Sequence, residues 1–176
     1  MENQKIMDIT LEELRNSFDQ SFSIDPEIEK NNLQKALQFH LSGESYAIPL
    51  MYIREVRKIS HITKVPCAPS IIVGMINLNG EIVSVSNICN LLELSESKIT
   101  SQSRLIITNN LGFTTALLVD SIQGLIDIKE DEIQPPISTL SSTKAEYIHG
   151  GIYCNDKLVI LLNMEKLFQS SEMQVE

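Results

Sequence analysis

Residues 74–92 return as residues 150–168, an offset of 76. Gly74 meets Gly150, Ile76 meets Ile152, Asn79 meets Asn155, Val83 meets Val159, Val85 meets Leu161 and Asn87 meets Asn163. An earlier match lays residues 43–59 on residues 112–128 at an offset of 69, with Ala47 on Ala116, Ile53 on Ile122, Val56 on Leu125 and Ile59 on Ile128. Two matches in the same order define one repeat unit present twice. The change of offset from 69 to 76 places seven extra residues in the second copy, between Ile128 and Gly150. Pro135-Pro136 and the Ser/Thr-rich stretch 138–143 make that region a natural loop. A unit of this size buries a modest fraction of its surface and is marginal alone. The two copies are therefore expected to dock through an apolar seam, with a groove between them.

The local pattern of each copy is that of strands and tight turns. Leu37, Phe39 and Leu41 alternate with Gln38 and His40, the period of a strand with one wet face. Ser42-Gly43 turns the chain, and residues 46–50 return as a second strand. Asn79-Gly80 lies between two Ile/Val-rich runs and fits a type I′ hairpin, whose two central residues both need positive φ. Asn87 and Asn163 stand where each would cap a short helix, with apolar residues Ile88, Leu91 and Leu92 in one copy and Met164, Leu167 and Phe168 in the other. These features predict a mainly β chain of two similar small barrels, the first mainly over residues 36–92 and the second mainly over 105–168. Aromatics are 5% of the chain and Trp is absent, so Ile, Leu and Val must fill the core.

Residues 1–35 read as an extension. Thr10 and Glu13 form a capping box, Ile9 and Leu14 a hydrophobic staple, and Leu11, Leu14 and Phe18 share a helical face with Phe22 one turn further. The stripe could pack on the barrels, dock a partner, or belong to a frayed tail. Residues 25–32 are polar and read as a linker, and residues 169–176 as a C-terminal tail.

Charge and motif content narrow the function. The net charge of −9, from 23 acidic and 14 basic residues, argues against nucleic acid and anionic lipid as partners. No run is long and apolar enough to insert directly into a membrane, and residues 1–5 lack a signal-peptide pattern. Cys67, Cys89 and Cys154 are odd in number and without CxxC spacing, which suggests neither disulfides nor zinc and makes a reducing cytoplasm the simplest home. His40, His61 and His149 are isolated, and no nucleophile elbow, phosphate loop or kinase signature occurs. Cys89 reads as packing in a short helix. The run Lys129-Glu130-Asp131-Glu132 lacks the alternating oxygen ligands of a calcium loop and reads as a solvated turn. The chain is expected to be no enzyme and to need no cofactor or metal.

The strings Tyr46-Ala47-Ile48-Pro49-Leu50, Ile53-Arg54-Glu55-Val56, Ile62-Thr63-Lys64-Val65-Pro66, Gly74-Met75-Ile76-Asn77-Leu78-Asn79-Gly80 and Ala116-Leu117-Leu118-Val119-Asp120, with the closing block 150–168, resemble the CheW-like domain. That domain occurs in chemotaxis coupling proteins and at the end of their histidine kinase. The resemblance covers about residues 36–168. It implies two five-stranded, SH3-like barrels side by side, with short helices. It also implies an adaptor between chemoreceptor cytoplasmic tips and the CheW-like regulatory domain of a chemotaxis histidine kinase, working in the cytoplasm and recruited to receptor arrays at the inner membrane. Carried over by position, Ile53, Glu55, Val56, Gly74, Asn79 and Gly80 are partner-binding candidates. The glycines equally serve turns, and Ile53 and Val56 equally serve a core; Glu55, a charge beside apolar neighbours, is the strongest of the six. The family pattern has Arg at Asn79, Pro at Ser84 and Asp at Asn87. Without that Arg, Glu55 is expected to lack an ion-pair partner and to await a cation on the binding partner. Two other readings fit the sequence: a diverged scaffold for another sensory or pilus pathway, using the N-terminal helix, and a small-ligand binder using the groove between barrels.

Overall fold

The computed structural model describes residues 33–96, 98–136 and 142–170. The capped N-terminal helix and most of the C-terminal tail fall outside these residues. Ten strands follow in order: β1 (Leu33–Leu41), β2 (Glu44–Pro49), β3 (Ile53–Lys58), β4 (Ile72–Leu78), β5 (Glu81–Ser86), β6 (Arg104–Asn110), β7 (Phe113–Val119), β8 (Ser121–Lys129), β9 (Ile148–Cys154) and β10 (Lys157–Leu162). Two short helices, α1 (Ser142–Glu146) and α2 (Met164–Gln169), complete the described chain with 3-10 turns at Leu50–Tyr52 and Glu130–Glu132.

The strands form two five-stranded sheets, ordered β8-β1-β2-β10-β9 and β3-β6-β7-β5-β4. The expected barrel boundaries at 36–92 and 105–168 do not match them. Hairpin β1–β2 of the first copy completes a sheet with β8, β9 and β10 of the second. Hairpin β6–β7 of the second copy completes the sheet of β3, β4 and β5. Pro49 and the turn at Leu50–Tyr52 lead the chain out of the first sheet, and the open edge of β2 takes β10 in parallel.

The two sheets are otherwise the same object. Leu37 faces Ile48 in the first hairpin and Ile106 faces Leu117 in the second. Tyr46 lies beside Ile160 in one parallel pair and Thr115 beside Ser84 in the other. Even the bulges repeat. Arg54 is skipped between Ile53 and Glu55 against β6, as Gln123 is skipped between Ile122 and Gly124 against β1. Beyond each edge strand a single bridge reaches the opposite edge, Thr63 to Met75 and Gln134 to Gly151. That bridge divides the extra residues of the second copy. The offset from Thr63 to Gln134 is 71, so two lie before it, at the turn Glu130–Glu132, and five after it.

Burial follows the same plan. One apolar cluster belongs to the first sheet (Ala36, Ala47, Ile128, Ile152, Val159, Leu161), and a second to the other sheet, around Val83, Val85, Leu105 and Ile107. The third and largest is the expected seam. It takes Leu37, Phe39, Tyr46 and Ile48 from one sheet and Ile53, Ile106 and Leu117 from the other, with Ile88, Leu92, Leu167 and Phe168 from the two closing segments. α2 is the helix expected there, capped by Asn163, whose Oδ1 accepts from the Lys166 amide at 3.1 Å. Its counterpart after β5 is a run of turns instead of a helix. Asn87 Oδ1 accepts from the nearer Cys89 amide at 3.0 Å, Leu94 N–H closes on Cys89 O at 2.8 Å, and Glu93 sits at φ 54°.

Candidate partner-binding face

The six candidate residues lie on two pieces of the second sheet, edge strand β3 and the β4–β5 hairpin. Asn79 (φ 54°) and Gly80 (φ 95°) make the expected left-handed turn, and Asn77 Oδ1 accepts the Gly80 N–H at 2.7 Å. The turn forms without the family's Arg. Gly74 is required by close approach. A Cβ there would lie 2.5 Å from the Thr63 carbonyl oxygen and 2.6 Å from Ile62 Cγ2. Gly150 meets Gln134 O and Ile133 Cγ2 at the same two distances, so the duplication holds to the level of atoms. Ile53 is 4% exposed and belongs to the seam, and Val56 packs against it from β3.

Glu55 departs from expectation. Its Oε2 accepts from Arg57 Nε at 3.0 Å, so it has an ion-pair partner within the chain. The reason is the strand period: residues two apart share a face. Glu55 and Arg57 stand opposite Ile107 and Leu105, and their side chains are 14% and 33% exposed. At this position β3 therefore offers a partner an ion pair and not a lone carboxylate.

A second ion pair joins the two pieces. The bulge frees Arg54 from the ladder, and its Nη1 reaches Glu81 Oε2, beside the hairpin tip, at 2.7 Å. That hydrogen bond holds the Arg54 guanidinium above its ordinary pKa. Next to Glu81 in β5, Ile82 is 63% exposed. Sequence reasoning singled out neither Arg54, Glu81 nor Ile82. The only signal was the comparison of copies, which puts Gln123, Lys157 and Leu158 at these positions and so marks the ion pair as private to one sheet.

A cavity beside Leu41, Cys89, Ser103 and Asp120 measures about 10 Å³, enough for one water. On β2, the central strand of the first sheet, the Tyr46 hydroxyl donates to Glu44 Oε2 at 2.6 Å while Lys144 Nζ stands 3.7 Å from the same oxygen. Burial, then the bond to Glu44, pushes the Tyr46 phenol far above its ordinary range, so it remains a protonated donor. The Lys144 contact ties α1 to β2.

The family model for the CheW-like domain matches residues 35–172. This chain belongs to the CheW-like family. It is 30% identical to the chemotaxis protein CheW of Treponema pallidum over 140 residues, 77% of this chain and 82% of that protein. Protein FrzA of Myxococcus xanthus is 25% identical over 80% of this chain and 89% of its own length. Among solved structures, the scaffolding protein TtCheW of Thermoanaerobacter tengcongensis aligns with a TM-score of 0.72 and 30% identity, over 81% of this chain and 97% of its own. No helix among the described residues is long and apolar enough to cross a membrane.

Proposed function

We propose that the chain is a non-catalytic scaffold that couples chemoreceptor cytoplasmic tips to the CheW-like regulatory domain of a chemotaxis histidine kinase, in the cytoplasm at receptor arrays on the inner membrane. The observation that carries this is the alignment of both sheets with nearly the full length of TtCheW, a scaffolding protein. The architecture suits the task. Two sheets of one design but different surfaces offer two similar docking faces at a fixed distance, which a link between two partners needs.

The partner face we assign is β3 with the β4–β5 hairpin. Ile53, Val56 and Gly74 act from behind, by holding strand positions. Glu55, Asn79 and Gly80 act in front, with Ile82 as the apolar centre and the Arg54–Glu81 and Glu55–Arg57 pairs as its rim. An apolar centre in a polar rim is the usual composition of a reversible interface. Rim charges select partners more than they add affinity.

Glu55→Lys puts a second cation beside Arg57 and reverses this rim. The variant is expected to stay folded, because residue 55 stands on an edge strand, where the long Lys stem can carry its ammonium out to water. Co-sedimentation with kinase and receptor fragments should fall at least several-fold. Normal coupling by a folded variant means that the face lies elsewhere; unfolding means that Glu55 is structural.

A further inference from the structure

We propose that this chain also assembles with a second copy of itself by exchanging halves, residues 33–93 of one chain completing residues 104–170 of the other. The interface is already built, because the halves meet inside one chain through four ladders: β1 with β8, β2 with β10, β3 with β6 and β5 with β7. Each half alone leaves both sheets incomplete. All four ladders and the seam are satisfied equally when the two halves come from different chains.

What holds the halves together covalently is the connection after Leu94. Leu94 is anchored by its N–H on Cys89 O, and a turn at residues 100–103 is fixed by the Thr100 N–H on Ser103 Oγ at 2.9 Å. Between these anchors residues 95, 96, 98 and 99 are exposed. Exchange changes the path of this connection and leaves the sheets unchanged. Short hinges between interlocked halves are where such exchange arises.

The seam also dictates which exchange is allowed. Hairpin β1–β2 presents Phe39 and Tyr46, stacked 6.1 Å apart, to Ile160 and its neighbours. At the equivalent positions hairpin β6–β7 presents Thr108 and Thr115, and the Thr115 hydroxyl lies 3.0 Å from Ser86 Oγ and 3.2 Å from Ser84 Oγ. One hairpin cannot replace the other without setting aromatic rings on hydroxyls. Two first halves therefore do not pair with each other, and first must meet second. An exchanged pair carries two copies of each sheet and doubles the faces of a scaffold without a new contact.

Lys35 and Asp127 are ladder partners across the halves, and both are about half exposed. In full-length chain with Cys67→Ser and Cys154→Ser, Lys35→Cys and Asp127→Cys can be joined by a short bis-maleimide after refolding from urea. Within one chain the link leaves the mass single; in an exchanged pair it joins two chains. We expect the share of chains in the two-chain product to rise about tenfold for a tenfold rise in refolding concentration while it is the minor species, by mass action. Removing residues 96–98 should make it the main product, with doubled mass in solution. Links within one chain at every concentration overturn the proposal. So does a folded, monomeric shortened chain, or a dimeric one whose links stay within chains; if the shortened chain fails to fold, the full-length series decides.

Discussion

Thr115 and Tyr46 occupy the same place in two copies of one design, and they show how single side chains give similar sheets separate identities. Thr115 is fully buried, with Ser84 and Ser86 as hydroxyl neighbours and the Ser84 carbonyl as acceptor at 3.2 Å. Tyr46 is equally buried, packs against apolar neighbours and sends its one polar atom to Glu44. Buried polar groups that are fully satisfied add specificity, because wrong pairings leave them stranded. Gly74 and Gly150 show the opposite case, two positions that have not diverged. A methyl group at either meets a carbonyl oxygen at 2.5 Å, so the strand must shift. Gly74→Ala and Gly150→Ala are each expected to lower stability in urea by about 1–3 kcal/mol, the usual cost of overpacking. The two losses should agree closely. A large loss from one and none from the other means that the copies bear load differently.

The hairpins and closing segments record how much a short element tolerates. In the β4–β5 turn, Asn79-Gly80 fills both left-handed positions with residues suited to them. The matching β9–β10 turn uses Asn155 (φ 49°) and Asp156 (φ 62°), and Asp carries a Cβ that Gly lacks. Asp156→Gly is therefore expected to raise stability by up to about 1 kcal/mol, in line with the cost of left-handed backbone for residues with a Cβ. Thermal melts beside the parent chain check this, and a loss means that the Asp156 side chain makes a contact worth more than the strain. The two closing segments also differ locally. Asn163 accepts from the Lys166 amide at the head of α2, and Asn87 from the Cys89 amide at the head of a run of turns that Leu94 closes onto Cys89 O.

The interlocking of the copies makes the protein one cooperative unit. Each sheet draws strands from both halves, and the seam takes side chains from both. Neither half can open while the other keeps its sheet. Amide protons in β4–β5, from the first half, and in β9–β10, from the second, should exchange through one global opening with equal free energies. Protection that is lost in one hairpin well before the other contradicts this. The same coupling keeps the two proposed docking faces at a fixed separation, which bears directly on scaffolding.

The strands, their turns and the duplication were legible in the residue order because each rests on a local rule. Alternation gives strands, Asn-Gly gives a left-handed turn, and an offset holding through Gly, Asn and Val positions gives a repeat. The family likeness and the six candidate positions rode on the same short strings. The Glu55–Arg57 pair was also open to that reasoning, since residues two apart on a strand share a face. Three things were not. Whether a copy closes on itself or trades its hairpin leaves the strand period and the register unchanged; the match of Phe39 and Tyr46 to Ile160, and of Thr115 to Ser84 and Ser86, decides it only across strands far apart in the chain. That Gly74 must be glycine depends on the carbonyl of Thr63, which the chain brings back only after the bulged edge strand. The Arg54–Glu81 bond needs the bulge that swings Arg54 out of the ladder, and a bulge is set by the facing strand β6, some fifty residues further along. Local sterics wrote the elements into the sequence; contacts between distant segments, which depend on shape and not on pattern, chose their arrangement.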